Sequence, residues 1–412
     1  MSDTPTTSPT AAKATLRGGL LAAIFLMATS AIGPGFITQT ATFTAKLGSA
    51  FAFAILMSII IDFVVQLNIW RITALTGRRA SETANAAIPG SGYLLAVLVL
   101  IGGLAFNIGN IAGAGLGLNA MLGLSPKIGG AVSALLAIAM FLSHRAGILL
   151  DRAMIWLGLL MIAMTLVVAA VSNPPVGEAL RQSILPDTID FATITTIVGG
   201  TVGGYITYSG AHRLLDKGLV GAENLAAVSR ASLTGIAVTG VMRFVLFLAI
   251  LGVVASGVTL DLSSQAANPA AQAFAAVLGD WGMRIFGVVL WVAALTSVIG
   301  AAYTSVSFLT VFRTMNDRGR NIATVVFIAV SLVIYMLMGT PPAAILVFVG
   351  GFNGLILPIG LTIFTYVGFA RSDLMGGHRY NRPLLIASAL VCALTWYMGI
   401  RSVTTIFAFL GL

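Results

Sequence analysis

Charge is what this chain has least of. Of its 412 residues only 8% are Asp, Glu, Lys or Arg, against 58% that are hydrophobic, and mean hydropathy is +1.01. Soluble domains carry roughly 25% charged residues. A molecule this size could not clothe a water-facing surface with so few, which excludes a soluble enzyme, a nucleic-acid-binding protein and a disordered scaffold. Cysteine is nearly absent as well. Cys392 stands alone in an apolar run, so no intramolecular disulfide can form, and it reads as a small packing residue. His144, His212 and His378 fall singly at helix ends or in loops, the place of interfacial residues rather than metal ligands. There is no Cys–His cluster, Ser–His–Asp arrangement or phosphate loop. Gly113-x-Gly115-x-Gly117 follows no strand and reads as a packing stripe of small residues, not a nucleotide fingerprint. No catalytic residue, cofactor or bound metal is expected, and no oligomerisation signal stands out.

What remains is apolar sequence in long runs. A spanning helix needs about 20 mostly apolar residues. Eleven stretches qualify, at 18–45, 49–70, 92–121, 127–143, 153–171, 192–211, 232–256, 284–312, 322–339, 342–369 and 384–411. Residues 1–17, polar and rich in Ser, Thr, Ala and Pro, read as a disordered cytoplasmic tail. A signal peptide is not expected, because the following apolar run is too long and lacks a small-residue cleavage site. With the N-terminus inside, the inner flanks hold 16 basic residues and the outer flanks 5, with Arg243 left inside span 7. That asymmetry predicts a multi-pass inner-membrane protein with a cytoplasmic N-terminus and an outer C-terminus. The longer outer stretches, Ser172–Ala192 and Ser256–Trp281, are too small to be domains.

Two spans carry helix-breaking residues. Gly33-Pro34-Gly35 lies near the middle of span 1. Span 6 holds Gly199-Gly200, which fits close helix packing, and then Gly203-Gly204. An interior proline costs a helix about 3 kcal/mol, and flanking glycines ease unwinding. Gly33 and Gly203 are 170 residues apart, close to the length of five spans. The chain therefore divides into a first repeat at 18–171, a second at 192–369, and an added helix at 384–411. Paired interruptions in equivalent places point to a secondary-transporter site at the bilayer midplane.

These segments resemble the Nramp family of proton-coupled divalent-metal transporters over most of spans 1–10. The run from Asn107-x-x-Asn110 to Leu118-Asn119 is similar to the family's stretch from Asp-x-x-Glu to Ala-Leu-x-Leu-Asn. Gln66 to Thr76-Gly77 keeps the family's Gln to Thr-Gly spacing. Ala294-Leu295-Thr296-Ser297-Val298-Ile299-Gly300 looks like its small, hydroxyl-rich helix 8, and Leu357-Pro358 resembles its Leu-Pro-Phe. The resemblance implies an all-α polytopic LeuT-type fold of two inverted five-helix repeats plus an eleventh helix. It also implies inorganic-cation transport by alternating access, with spans 1, 2, 6 and 7 rocking against the rest.

The departures from the family pattern are specific. Its Asp-Pro-Gly-Asn, whose Asp and Asn ligate metal, falls here on Gly33, Pro34, Gly35 and Phe36, and its following Thr-Asp on Gln39 and Thr40. Its Met-Pro-His falls on Gly203, Gly204 and Tyr205. Its proton-path acids fall on Asn107 and Asn110. The expected site then offers only carbonyls and hydroxyls: Thr38, Gln39, Tyr205, Thr207, Tyr208, Thr296, Ser297 and Asn353 join the residues of the breaks. Such a set cannot neutralise a dehydrated 2+ charge. It fits a hard, hydrated divalent cation such as magnesium, moved without the family's proton route. The alternative is a small organic or anionic solute, with Arg243 or helix N-termini as charge partner. Asp62 and Arg243 are the acid and base within the spans, at depths that overlap to within roughly one helical turn. They read either as an ion pair locking the helices together or as a fixed positive charge beside the site.

Overall fold

The computed structural model describes residues 18–408 except 22, 25, 26, 29, 143 and 265, and omits the side chains of 144–155, 157 and 158. The expected tail at 1–17 and the side chain of His144 lie outside the described residues.

A bilayer core has no water to satisfy backbone N–H and C=O groups, so apolar runs must close their hydrogen bonds internally as helices. The described chain is already helical at Gly18. The helices that follow are α1 (Pro34–Leu47), α2 (Phe51–Thr76), α3 (Ala80–Ala87), α4 (Ser91–Leu122), α5 (Pro126–Leu142), α6 (His144–Val171) and α7 (Val176–Ile184). Next come α8 (Phe191–Thr201), α9 (Ile206–Asp216), α10 (Leu225–Ala255), α11 (Pro269–Val306), α12 (Asp317–Leu337), α13 (Pro342–Ala370) and α14 (Arg382–Ala408). Among the described residues seven stretches are each long and apolar enough to cross a bilayer, and there is no strand. Exposed apolar side chains such as Leu135, Leu166, Val241, Leu390 and Ile400 face outward along these helices, as lipid contact requires.

The central helix is α4, packed against α5, α11 and α13. Its glycines serve different neighbours. A Cβ on Gly113 would collide with Pro34, on Gly115 with the Pro126 carbonyl, and on Gly117 with the Trp291 backbone. Close helix approach is their use, as the sequence predicted.

Two of the longer stretches between spans contain more helix than expected. Within 172–192, α7 turns 107° from the helix before it. It buries Ala179, Gln182 and Ser183 and exposes Leu180 and Ile184. Within 256–281, α11 starts at Pro269, where the Asn268 side chain accepts the Ala271 N–H at 3.2 Å, and it kinks at Gly279 (φ +66°). A basic end gathers Arg79 and Arg320 around Asp216 and Tyr303, with Arg371 at the end of α3. Arg371 Nη1 donates to the carbonyls of Ala86 and Ala87 at 2.8 and 2.6 Å.

Candidate transport site

The described residues of 18–31 are helical, the chain turns at Ile32 and bends at Gly33, and helix restarts at Pro34. The break therefore sits just before Pro34, not across Gly33-Pro34-Gly35 as expected. Proline at the first helical position lacks only an N–H that would be unpaired anyway. Pro34 through Thr44 are all buried.

The second break runs from Val202 to Tyr205. The N–H groups of Val202 and Gly203 both turn back to the Val198 carbonyl, at 2.8 and 3.1 Å. Gly204 takes φ +59°, and a Cβ there would run into Asn353 Oδ1. Only glycine meets both demands. Gly199-Gly200, by contrast, stay helical and let α13 and Gln39 approach.

The two breaks meet at Tyr205, whose hydroxyl lies beside the side chains of Ser30 and Asn110. Its ring stands edge-on to Phe106 at 5.2 Å. Asn353 Nδ2 donates to the carbonyls of Gly102 and Val349 at 3.1 and 2.9 Å, leaving Oδ1 buried beside Gly204 with no partner among the described residues. Gln39 Nε2 donates to the Leu346 carbonyl at 2.8 Å. Its amide lies in a slot between Gly200 and Gly350, where a Cβ on either glycine would strike it. The oxygens Gln39 Oε1, Thr38 Oγ1 and Thr207 Oγ1 are also buried and without a partner among the described residues.

The other expected site residues are more dispersed. Tyr208 lies one turn farther along α9 against Phe308, ring centroids 5.1 Å apart. Thr296 turns its hydroxyl back to Val292 and Ala293 of its own helix, at 3.1 and 2.9 Å; Ser297 is buried. Asn107 Nδ2 donates to Ser331 Oγ at 3.2 Å, tying α4 to α12.

Arg243 Nη2 donates to Asp62 Oδ2 at 2.8 Å with both side chains fully buried. The contact belongs to a ladder between α2 and α10, continued by Gln66 Nε2 to Ser232 Oγ at 3.2 Å and Arg71 Nη1 to Ser229 Oγ at 2.8 Å. The geometry favours the lock over the free positive charge.

His212 overturns its reading as an interfacial residue. It is 2% exposed in α9, with Nε2 accepting the Ala80 N–H at 3.1 Å and Nδ1 on Ser307 Oγ at 2.7 Å. Its one sequence signal was helical spacing, since Tyr205, Tyr208 and His212 recur every three or four residues. Among the described residues no three of His, Cys, Asp and Glu gather as a metal would require.

Comparison with known proteins decides the family. The profile of the natural resistance-associated macrophage protein-like (Nramp) family matches residues 24–405. The chain belongs to the Nramp-like family. It is 51% identical over 371 residues to an uncharacterised membrane protein of Haemophilus influenzae, covering 90% of this chain and 91% of that one. Its fold is similar to a manganese transporter of Eremococcus coleocola solved with an aromatic bis-isothiourea compound, with TM-score 0.71 and 15% identity over 99% of this chain and 90% of that one. It is also similar to MhsT in complex with L-phenylalanine, with TM-score 0.64 and 15% identity over 95% of this chain and 98% of that one. This Nramp-like chain is a multi-pass secondary membrane transporter, not an enzyme. Its fold is LeuT-type, two inverted five-helix repeats plus an eleventh helix.

Proposed function

We propose that this transporter carries a hard, largely hydrated divalent cation such as magnesium, through a site at the two helix breaks, without the proton route of its family. The observation that carries the reading is the donor set: Thr38, Gln39, Thr207 and Asn353 place buried neutral oxygens on the elements flanking the breaks, with no carboxylate or thioether among them. Magnesium dehydrates reluctantly and keeps several waters, so hydroxyls and amide oxygens can hold it through its water shell. Soft metals need thiolate or thioether ligands. The carbonyl end of α8 adds partial negative charge on the same side. The anionic-solute reading loses its main support, because Arg243 already serves Asp62. We place the repeats at 18–171 and 192–369, the basic end on the cytoplasmic side of an inner membrane, and the C-terminus outside.

The test is thermal unfolding of the full chain in detergent with magnesium, manganese or cadmium chloride, amino acids, or small anions. Magnesium should stabilise in a saturable way, by about 2.7 kcal/mol at 100 times its dissociation constant. Stabilisation by micromolar manganese or cadmium, or by organic solutes alone, would overturn the assignment.

A further inference from the structure

We infer that α9 is a latched half-helix: the break at Gly203-Gly204 is its hinge, His212 and Asp216 clip its far end to neighbouring helices, and release of that clip opens the basic end. The inference stands on alternating access and does not depend on which solute is carried.

The two ends of α9 are held differently. At its start, the helical ladder is interrupted from Val202 to Tyr205, with Gly204 in the left-handed region. That is the point between α8 and α9 where no continuous helical ladder stiffens the backbone. At its far end, Asp216 uses both carboxylate oxygens on different elements. Oδ1 accepts from Arg79 Nη2, just before α3, at 2.7 Å, and Oδ2 accepts from the Tyr303 hydroxyl of α11 at 3.0 Å. Arg320 of α12 lies over the Tyr303 ring, 5.1 Å from its centroid. One turn earlier, His212 repeats the same bridge. Because Nε2 accepts the Ala80 N–H, the ring proton sits on Nδ1 and is donated to Ser307 Oγ, which donates onward to the Thr304 carbonyl at 2.5 Å. Both residues thus join α9 to the start of α3 and the end of α11.

Between hinge and clip lies a plug of rings. Tyr208 and His212 each pack on Phe308 with centroids 5.1 Å apart, and Tyr208 also meets Phe364 at 6.0 Å. The path below the breaks is shut while α9 stays clipped. The chemistry of the clip suits a moving part. A hydrogen bond exchanged for water costs little net free energy, whereas separating interlocked apolar side chains costs the full price of their exposure. The Arg79 and Asp216 side chains are 14% and 19% exposed, so water can replace each partner as they part.

The experiment uses the full chain in lipid nanodiscs with Cys392→Ser and a reporter, Thr207→Cys, buried between hinge and clip. A hydrophilic maleimide reads how often α9 swings away. Asp216→Asn should raise the labelling rate about tenfold and Tyr303→Phe less, the scale of losing a charge-assisted or a single hydrogen bond. Exchanging the charges, Arg79→Asp with Asp216→Arg, should bring the rate back toward the parent. Glu178→Gln, which breaks an ion pair within α7, should leave it unchanged. Parent-like labelling in both Asp216→Asn and Tyr303→Phe would overturn the latch, as would an equal rise in Glu178→Gln or failure of the exchange to restore. If Asp216→Asn does not fold, Tyr303→Phe against Glu178→Gln decides the matter alone.

Discussion

Asp62 and Arg243, 181 residues apart in sequence, share a single 2.8 Å hydrogen bond where neither side chain reaches solvent. Asp62 Oδ1 and Arg243 Nε and Nη1 have no partner among the described residues. Each charge is therefore tolerated chiefly because of the other.

Removing one member should be worse than removing both. Asp62→Leu or Arg243→Met alone should destabilise by about 3–5 kcal/mol, because a lone charge stays buried, while the pair of changes together should be close to neutral. Reversible unfolding in mild detergent, arranged as a double-mutant cycle, measures the coupling. Additive losses would show that the two charges do not depend on each other.

Gly204→Ala should cripple the protein where Gly203→Ala is milder. Alanine in the left-handed region costs about 1–2 kcal/mol before any clash, and here its Cβ would also meet Asn353 Oδ1. Gly203 does not share the left-handed backbone, so its alanine meets only the crowding of the Asn353 and Gly199 backbone at 2.8 Å, less close than the approach to Asn353 Oδ1 at Gly204. Asn353→Ala should recover part of the Gly204→Ala loss in a thermal melt. No recovery would assign the whole penalty to the backbone.

Cation uptake should not acidify the vesicle lumen. By the motif resemblance, the family's acids fall on Gly33, Asn107 and Asn110, and amides do not titrate near neutral pH. Proteoliposomes loaded with a pH-sensitive dye and given magnesium provide the check. Acidification abolished by Asp62→Asn would reveal a proton path through the α2–α10 pair.

The short helix α7 should loosen in acid. Hydrogen bonds from Arg181, then Gln182, hold Glu178 at about 2, below its ordinary 4.5. A depressed carboxylate stabilises the folded form above the unfolded value, and that contribution fades as pH falls from 4.5 toward 2. Amide exchange across α7, corrected for the intrinsic rate, should lose protection in that window, and Glu178→Gln should flatten the response. Equal protection at both ends of the window would show that the Arg181 knot does not hold α7.

Much of the fold was legible because membrane sequence is a coarse code. Long apolar runs give spans, and Gly-Pro-Gly marks a break, whereas Gly-Gly does so only in context: Gly203-Gly204 break the chain and Gly199-Gly200 stay helical. The approach of Asp62 to Arg243 follows from rise per residue along two helices. Features decided by three-dimensional neighbours were not legible. His212 looked interfacial because the Ala80 N–H and Ser307 that bury it lie far away in sequence. The period of α7 spans too few residues to rise above its loop, although Asn268-Pro269 was a helix start signal of the ordinary kind. Thr296 has the right residue type in the right segment, but its hydroxyl turns to its own backbone, and composition carries no record of side-chain direction.

The Gln39 amide, seated between Gly200 and Gly350, works as a key between two notches. A shorter side chain would rattle in the slot; a side chain at either notch would expel the key. Positions 39, 200 and 350, set in three distant segments, must then drift through evolution together or stay as they are. In a fold made of two inverted repeats, such a key would be one of the places where the halves cannot vary independently.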